Sequence, residues 1–337
     1  MNGVSVIIKA LNEEHHIEAA LRSALEGVRA VGGEVILADS GSTDRTVAIA
    51  QGFPVTIVQL AAPEEACCGI GPQLGFQEAA GDFVYLMDGD MELVPGFLEA
   101  ALAVLGKDAS LAGVGGMMEE VGTLNAEYLL RKRMAQTDRQ PGPVTHLTGG
   151  GLYRVAAVRS VAYFSNRNLH AFEELELGVR LAHAGWGLSR LPRLSIRHHP
   201  HQVGSYRLLL RRVLTGSNMG PGQMLKASFG KPYFRRILPR FTFVYVTAGW
   251  IALLALVPVL PVPLPARAGA FLAGAGAPFV LLGVRKGGLG AGAYCLLSWL
   301  SSLFGAVRGL CRPQVDPAAP VARKVIQVGR RHGQTGP

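Results

Sequence analysis

The stretch YLMDGDMEL, residues 85–93, closes an apolar run with Asp88, Asp90 and Glu92. Three carboxylates within five residues repel one another, so a positive charge is expected among them. Hard oxygen donors of this kind suit Mg2+ or Mn2+, ions that commonly partner substrate phosphates. A second acidic group, Glu173, Glu174 and Glu176, heads the segment HAFEELELGVRLAHAGW of residues 170–186, whose apolar face holds Leu177, Leu181 and Ala184. Acids in a first helical turn also complement the helix dipole, so a structural role competes with a catalytic one. The third feature is RHHPH (197–201), a histidine cluster after the strand-like LSRLPRLSI.

These groups need a frame. VSVIIKA (4–10) is a short β-branched run that suits a buried parallel strand. Ile17, Leu21, Ala24, Leu25 and Val28 follow at helical spacing, with Asn12 as the expected N-cap. A strand over 34–38, a polar turn and a helix from about Thr43 come next. VTIVQL (55–60) reads as a third strand, LGFQEAA as a helix and DFVYLMD as a fourth strand. Strand–helix alternation with short turns predicts a mostly parallel sheet with helices on both faces. Ligands of such sheets collect at the carboxyl ends of the strands, where Asn12, Asp39 and Asp88 stand. No G-x-G-x-x-G follows the first strand and there is no P-loop; the turns carry NEE and DSGSTD instead. Acidic groups there can accept hydrogen bonds from a base N–H or from ribose hydroxyls. Singly, Asp39 and Asp44 are ordinary turn and capping residues. Beside the acidic cluster they point to a nucleotide.

In this order, VSVIIKALNEEHHIEAALRSAL, EVILADSGSTDRTVAIA and AAGDFVYLMDGDMELVPGFL resemble family-2 glycosyltransferases, over about residues 3–205. The resemblance implies an α/β GT-A nucleotide-sugar-binding domain. It gives Asp39 a nucleobase contact, makes Asp88 and Asp90 the metal-binding D-x-D, and puts Asn12, Glu13 and Gly89 around the nucleotide. Gly149, Gly150 and Arg154 match its acceptor-side glycine pair and basic residue. The family's E-D-x-D-L reads Glu173-Glu174-Leu175-Glu176-Leu177 here, which makes Glu174 the expected base and Glu173 a positioning or acceptor-binding partner. A histidine near the metal or diphosphate fits His198 or His199, and His199 is carried as the metal candidate. Two departures stand out: Lys9 occupies the place of a usual proline, and Pro72 that of a usual arginine. The Q-x-x-R-W motif of processive synthases is absent.

Across 337 residues the chain is 49% hydrophobic and 17% charged, with mean hydropathy +0.27, too apolar for a purely soluble protein. The excess lies in FTFVYVTAGWIALLALVPVLPV (241–262), AGAFLAGAGAPFVLLGV (268–284) and LGAGAYCLLSWLSSLFGAVRGL (289–310). The net charge of +9 gathers around them: Arg207, Arg211, Arg212, Lys226, Lys231, Arg235, Arg236 and Arg240 precede the first, and Arg285 and Lys286 follow the second. Arg323, Lys324, Arg330 and Arg331 lie in the tail. Two spans keep all these cations on the cytoplasmic side, so 289–310 is expected in the interface. The expected organisation is a catalytic domain over 1–205, a basic amphipathic interfacial segment over 206–240, a transmembrane hairpin plus interfacial helix over 241–312, and a flexible basic tail over 313–337. No signal peptide precedes the first strand, so the catalytic domain is expected in the cytoplasm, on the inner membrane. Four cysteines lack zinc spacing, and the basic surface lacks a nucleic-acid motif.

The expected function is that of a membrane-associated, metal-dependent inverting glycosyltransferase. It moves a sugar from a UDP- or GDP-linked donor, with Mg2+ or Mn2+, to a lipid-linked or cell-envelope polysaccharide acceptor. Two alternatives remain: a polyprenyl-phosphate sugar synthase, with Arg154, Arg207, Arg211 and Arg212 available for the acceptor phosphate, and a non-catalytic scaffold of an envelope-glycan assembly complex.

Overall fold

A computed structural model describes residues 3–122, 140–199 and 204–332. The chain divides into two compact units, Met1–Val203 with Gln314–Pro337, and Gly204–Pro313.

The first unit is built on one sheet. Strands β1 (Val4–Ala10), β2 (Gly33–Asp39), β3 (Thr56–Leu60) and β4 (Phe83–Asp88) run parallel in the order β3-β2-β1-β4. They are joined by α1 (Ile17–Val31), α2 (Thr46–Ala50) and α3 (Ile70–Phe76). β1 and β2 are apolar nearly throughout because both faces are covered, as a parallel sheet requires. Val6, Ile8, Leu37 and Tyr85 join one buried cluster with α1, whereas Ile7, Ile36, Val58 and Val84 join another with α3. Beyond β4 the sheet turns mixed. β5 (Met91–Leu93), α4 (Phe97–Lys107), β6 (Leu111–Glu120), β7 (Gly142–Pro143), β8 (Gly151–Arg154), α5 (Val155–Arg159), α6 (Glu173–His183) and β9 (Gly187–His198) follow in sequence. The sheet continues β4-β8-β6-β9-β5.

Two local expectations change. Asn12 does not cap α1, which starts only at Ile17; it sits at φ 59 and fastens two loops. Its Oδ1 accepts from Thr43 N at 2.8 Å, and its own N–H donates to Ser42 Oγ at 2.8 Å. Asparagine tolerates the left-handed region better than most residues, which suits this turn. The tail over 313–337, expected to be flexible, instead contributes β10 (Arg323–Gln327), antiparallel on β3. Val321 is buried and exchanges two hydrogen bonds with the Gln77 amide. An open β3 edge presents a row of unpaired backbone groups, and the tail satisfies them.

The second unit is helical: α7 (Ser205–Thr215), α8 (Gly220–Ser228), α9 (Phe234–Ile237), α10 (Thr242–Leu256), α11 (Leu264–Lys286) and α12 (Leu289–Cys311). Three continuous helical stretches, Phe234–Val259, Leu264–Lys286 and Leu289–Cys311, are long and apolar enough to cross a membrane. The third, expected in the interface, therefore meets the length and composition of a span as the other two do.

Candidate active site

Register assembles the site. Lys9 pairs with Asp88 across β1–β4, and Ala10 pairs with Asp39 across β1–β2. Asp39 and Asp88 thus end the two strands that flank β1, as the alternation predicted, and Lys9 lies between them one residue before the end of β1.

Asp39 is fully buried. Its Oδ2 accepts from Gly41 N at 3.1 Å, Ser42 N at 3.0 Å and Gln59 Nε2 at 2.9 Å, which fixes the carboxylate in the turn. Its Oδ1 accepts no hydrogen bond among the described residues. A buried carboxylate oxygen in that state can take a donor such as a base N–H. Asp44 anchors the same loop by accepting from Thr46 N at 2.9 Å and Glu14 N at 3.0 Å. Desolvation works against its charge, but these bonds hold its carboxyl below the ordinary value of 3.8.

The turn after β4 is crowded. Gly89 N donates to Lys9 O at 2.9 Å, and a Cβ at Gly89 would lie 2.9 Å from Glu13 Cγ. Glycine is required here because the Glu13 stem packs on the turn. Desolvation by burial and the neighbouring Asp90 raise the Asp88 carboxyl, with Lys9 opposing. A cation would relieve that crowding. Among the described residues no three acidic, imidazole or thiol groups converge to hold an ion by themselves. The oxygen donors of Asp88 and Asp90 fit Mg2+ or Mn2+ that draws its other ligands from water and a diphosphate.

Lys9 supplies, from within the chain, part of the positive charge expected among the carboxylates. Its Nζ lies 3.2 Å from Asp88 Oδ1 and 3.1 Å from Glu173 Oε1. Desolvation disfavours the ammonium, yet the charges of Asp88 and Glu173 raise it well above the usual lysine value. The stem fits because α3 presents Gly71 there, where a Cβ would come within 3.0 Å of Lys9 Cβ.

Helix α6 starts after Phe172, which holds a left-handed φ of 71. Glu173 is buried and Glu174 half-buried. Glu176 does different work: it is 2% exposed, pairs with Arg180 at 2.9 Å and accepts from Tyr163 Oη at 2.6 Å. Arg180 in turn donates to the carbonyls of Val161, Tyr163 and Phe164. One of the three acids is therefore a structural anchor.

The histidines resolve by strand alternation. β5 pairs with β9 so that Met91 faces His198, which brings His198 Nε2 to 3.2 Å from Asp90 Oδ2. Its Nδ1 lies 2.5 Å from Glu120 Oε2, a site residue that sequence reasoning missed. Burial opposes the imidazolium, but the two carboxylates raise its pKa to about 10. His199, the expected metal candidate, turns to Glu92 at 2.6 Å and stacks on His16. Consecutive side chains point to opposite faces, so only the His198 ring meets the Asp90 carboxylate, whereas His199 meets Asp90 through the backbone, its N–H donating to Asp90 O at 2.9 Å.

Arg154 corrects another expectation. It pairs with Phe83 at the start of β4, the end of that strand away from Asp88. Its guanidinium donates to the carbonyls of Leu111, Leu105 and Asp108, which staples α4 to β6. Gly149 and Gly150 have φ of 67 and 94, and a Cβ at Gly150 would lie 2.6 Å from Tyr85 Oη. The pair therefore lets the backbone pack closely against Tyr85 and Met118.

The mostly parallel sheet with its mixed second half is that of the GT-A fold, which the chain shares with solved glycosyltransferase structures. Residues 5–160 match the model of Glycosyl transferase family 2, and the chain carries a domain of that family. Uncharacterized glycosyltransferases of Mycobacterium tuberculosis and Mycobacterium bovis are 27% identical over 212 residues, which is 60% of this chain and 88% of theirs. A mannosyltransferase from Pyrobaculum calidifontis, solved with GDP-Man and Mn2+, superposes with a TM-score of 0.57 at 19% identity, over 90% of this chain and 88% of its own.

Proposed function

We propose that this protein is a membrane-anchored, metal-dependent inverting glycosyltransferase that moves a sugar from a UDP- or GDP-linked donor to a hydroxyl of a lipid-linked or cell-envelope glycan. The observation that carries this reading is the chain Asp88–Lys9–Glu173, at 3.2 and 3.1 Å, which joins donor-side and acceptor-side acids in one cleft. Mn2+ and GDP-Man in the structural neighbour support a divalent ion and a nucleotide-sugar donor.

In this reading Asp39 receives the nucleobase, and Asp88 and Asp90 hold the cation, with His198 and Glu120 fixing the Asp90 carboxylate. A bound divalent ion supplies charge stabilisation to the leaving diphosphate. Glu174 takes the proton of the acceptor hydroxyl as that oxygen attacks the anomeric carbon. Glu173, held by Lys9, orients the acceptor. Arg154 serves the sheet, which removes one of the four cations that a polyprenyl-phosphate acceptor could use. The three apolar helices support a membrane anchor, with the catalytic unit on the cytoplasmic face of the inner membrane. A panel of nucleotide sugars scored for Mn2+-dependent hydrolysis tests the proposal: one donor should be turned over well above the rest, and no turnover of any would refute it.

A further inference from the structure

Resting on the membrane-anchored reading above, we infer that α12 does not cross the bilayer: it lies in the lipid interface on the side of the catalytic sheet, and only the hairpin of Phe234–Val259 and Leu264–Lys286 spans. Three independent observations carry this.

The first is parity. β10 is hydrogen-bonded to β3 with Arg323 opposite Leu60 and Lys324 opposite Gln59. Further contacts lash the same segment to the sheet unit: Val315 exchanges two bonds with the Asn168 amide, Arg167 donates to Pro320 O at 2.9 Å, and Gly33 bridges to His332. A strand cannot pair with a sheet across a bilayer. The chain therefore leaves at Gly204 and returns at Gln314 on one face, after an even number of crossings. Three crossings are incompatible with the pairing.

The second is what α12 touches. A Cβ at Gly292, near its start, would lie 2.5 Å from Gly283 N at the end of α11, and Tyr294 meets Tyr206 of α7 edge-on. In its middle, Trp299 contacts Phe243 at the start of α10. Towards its end, Asn218 Nδ2 donates to Ser301 O at 3.0 Å, and the glycines at 305 and 309 lie against the Asn218 and Met219 carbonyls. Both ends of α12 are thus held by residues 206–222, a segment that precedes the first crossing and carries Arg207, Arg211 and Arg212. An upright α12, about 34 Å long, would draw those arginines into hydrocarbon.

Charge selects the hairpin. The connection over 260–263 carries no charge and one cation stands beside it, Arg267, which donates to Pro258 O at 2.8 Å, whereas Arg235, Arg236 and Arg240 stand at the start of the hairpin and Arg285 and Lys286 at its end. That is the pattern of a loop exported between two cytoplasmic ends. On α12 itself, Leu297, Phe304 and Val307 are exposed at helical spacing, away from the packed Tyr294, Gly305 and Gly309. That stripe is the face that enters the acyl-chain boundary, and Arg308, over the Phe304 ring, reaches the headgroups.

The test uses the full chain in membrane vesicles of both orientations. Cys67, Cys68, Cys295 and Cys311 are replaced by Ser, and single cysteines are introduced as Glu64→Cys, Leu260→Cys, Gly290→Cys and Ala318→Cys. An impermeant maleimide should label Glu64→Cys, Gly290→Cys and Ala318→Cys from one face and Leu260→Cys from the other, at least tenfold over the opposite face, with all four labelled in detergent. Spin labels introduced as Leu297→Cys and Val307→Cys should report equal depth; an upright helix would separate them by about 15 Å. Labelling of Ala318→Cys and Glu64→Cys from opposite faces, labelling of Leu260→Cys from the Glu64→Cys face, or unequal depth would each overturn the inference. Extraction of the whole protein without detergent would instead refute the membrane anchor, and none of these outcomes bears on sugar transfer.

Discussion

Lys9 and Glu173 meet at 3.1 Å although 164 positions separate them in the chain. The contact ties the end of the first strand to the first turn of α6. Because Lys9 also pairs with Asp88, one ammonium offsets two carboxylates in the cleft. Removing it should leave Asp88 and Glu173 facing each other.

Lys9→Met should destabilise the protein by about 3 kcal/mol, the low end for losing one partner of a largely buried pair. Adding Glu173→Gln should restore part of that loss, because the uncompensated charge goes with it. Thermal unfolding of the detergent-solubilised single and double variants measures this. A double variant no more stable than Lys9→Met alone would show that the pair is incidental.

Glu174 and Glu176 should separate cleanly. Glu174→Gln keeps size and removes charge, so it should express normally, bind donor normally and transfer about 10²–10⁴-fold more slowly. Glu173→Gln should act more mildly, chiefly through acceptor affinity. Transfer by Glu174→Gln near the parent rate would move the base elsewhere, with Glu173 the next candidate.

Glu176→Ala should fail through folding instead. It strands the buried Arg180, at a cost of about 3–5 kcal/mol for one partner of a buried ion pair. Soluble yield and unfolding temperature read this directly, and a variant as stable as the parent would contradict the structural role.

Acid should loosen the turn after β2 through Asp44. Its folded-state value lies below the unfolded one, so its contribution is present above the ordinary carboxylate range and is lost as pH falls through the folded value. Asp44→Asn should therefore cost about 1 kcal/mol at neutral pH, a typical hydrogen-bond contribution. The gap between parent and variant should close in strong acid. A gap independent of pH would remove the charge from the explanation.

Much of the parallel half of the sheet was legible in the sequence because its signals are local. Apolar runs end in Asp39 and Asp88, and the parallel order follows from alternation with helices. Other features depend on pairing that no local pattern carries. Arg154 ends β8 after a run of three glycines, but β8 runs antiparallel to β4 and so delivers it to the end of the sheet away from Asp88. His198 and His199 differ only in the face they leave, which the β5–β9 register decides. Glu120 ends β6, where nothing in its neighbours marks it until His198 arrives opposite. The tail reads as polar and basic, and only the open edge of β3 gives it a structure.

Binding of a nucleoside diphosphate at Asp88 and Asp90 through a divalent cation is expected, and calorimetric titration of UDP and GDP measures it. The parent protein should bind one of them with Mn2+ at least tenfold more tightly than in EDTA, and Asp90→Ala should abolish the Mn2+ effect while unfolding at a similar temperature. Binding that is equally tight with Mn2+, in EDTA and in Asp90→Ala would show that no cation bridges these carboxylates to the nucleotide.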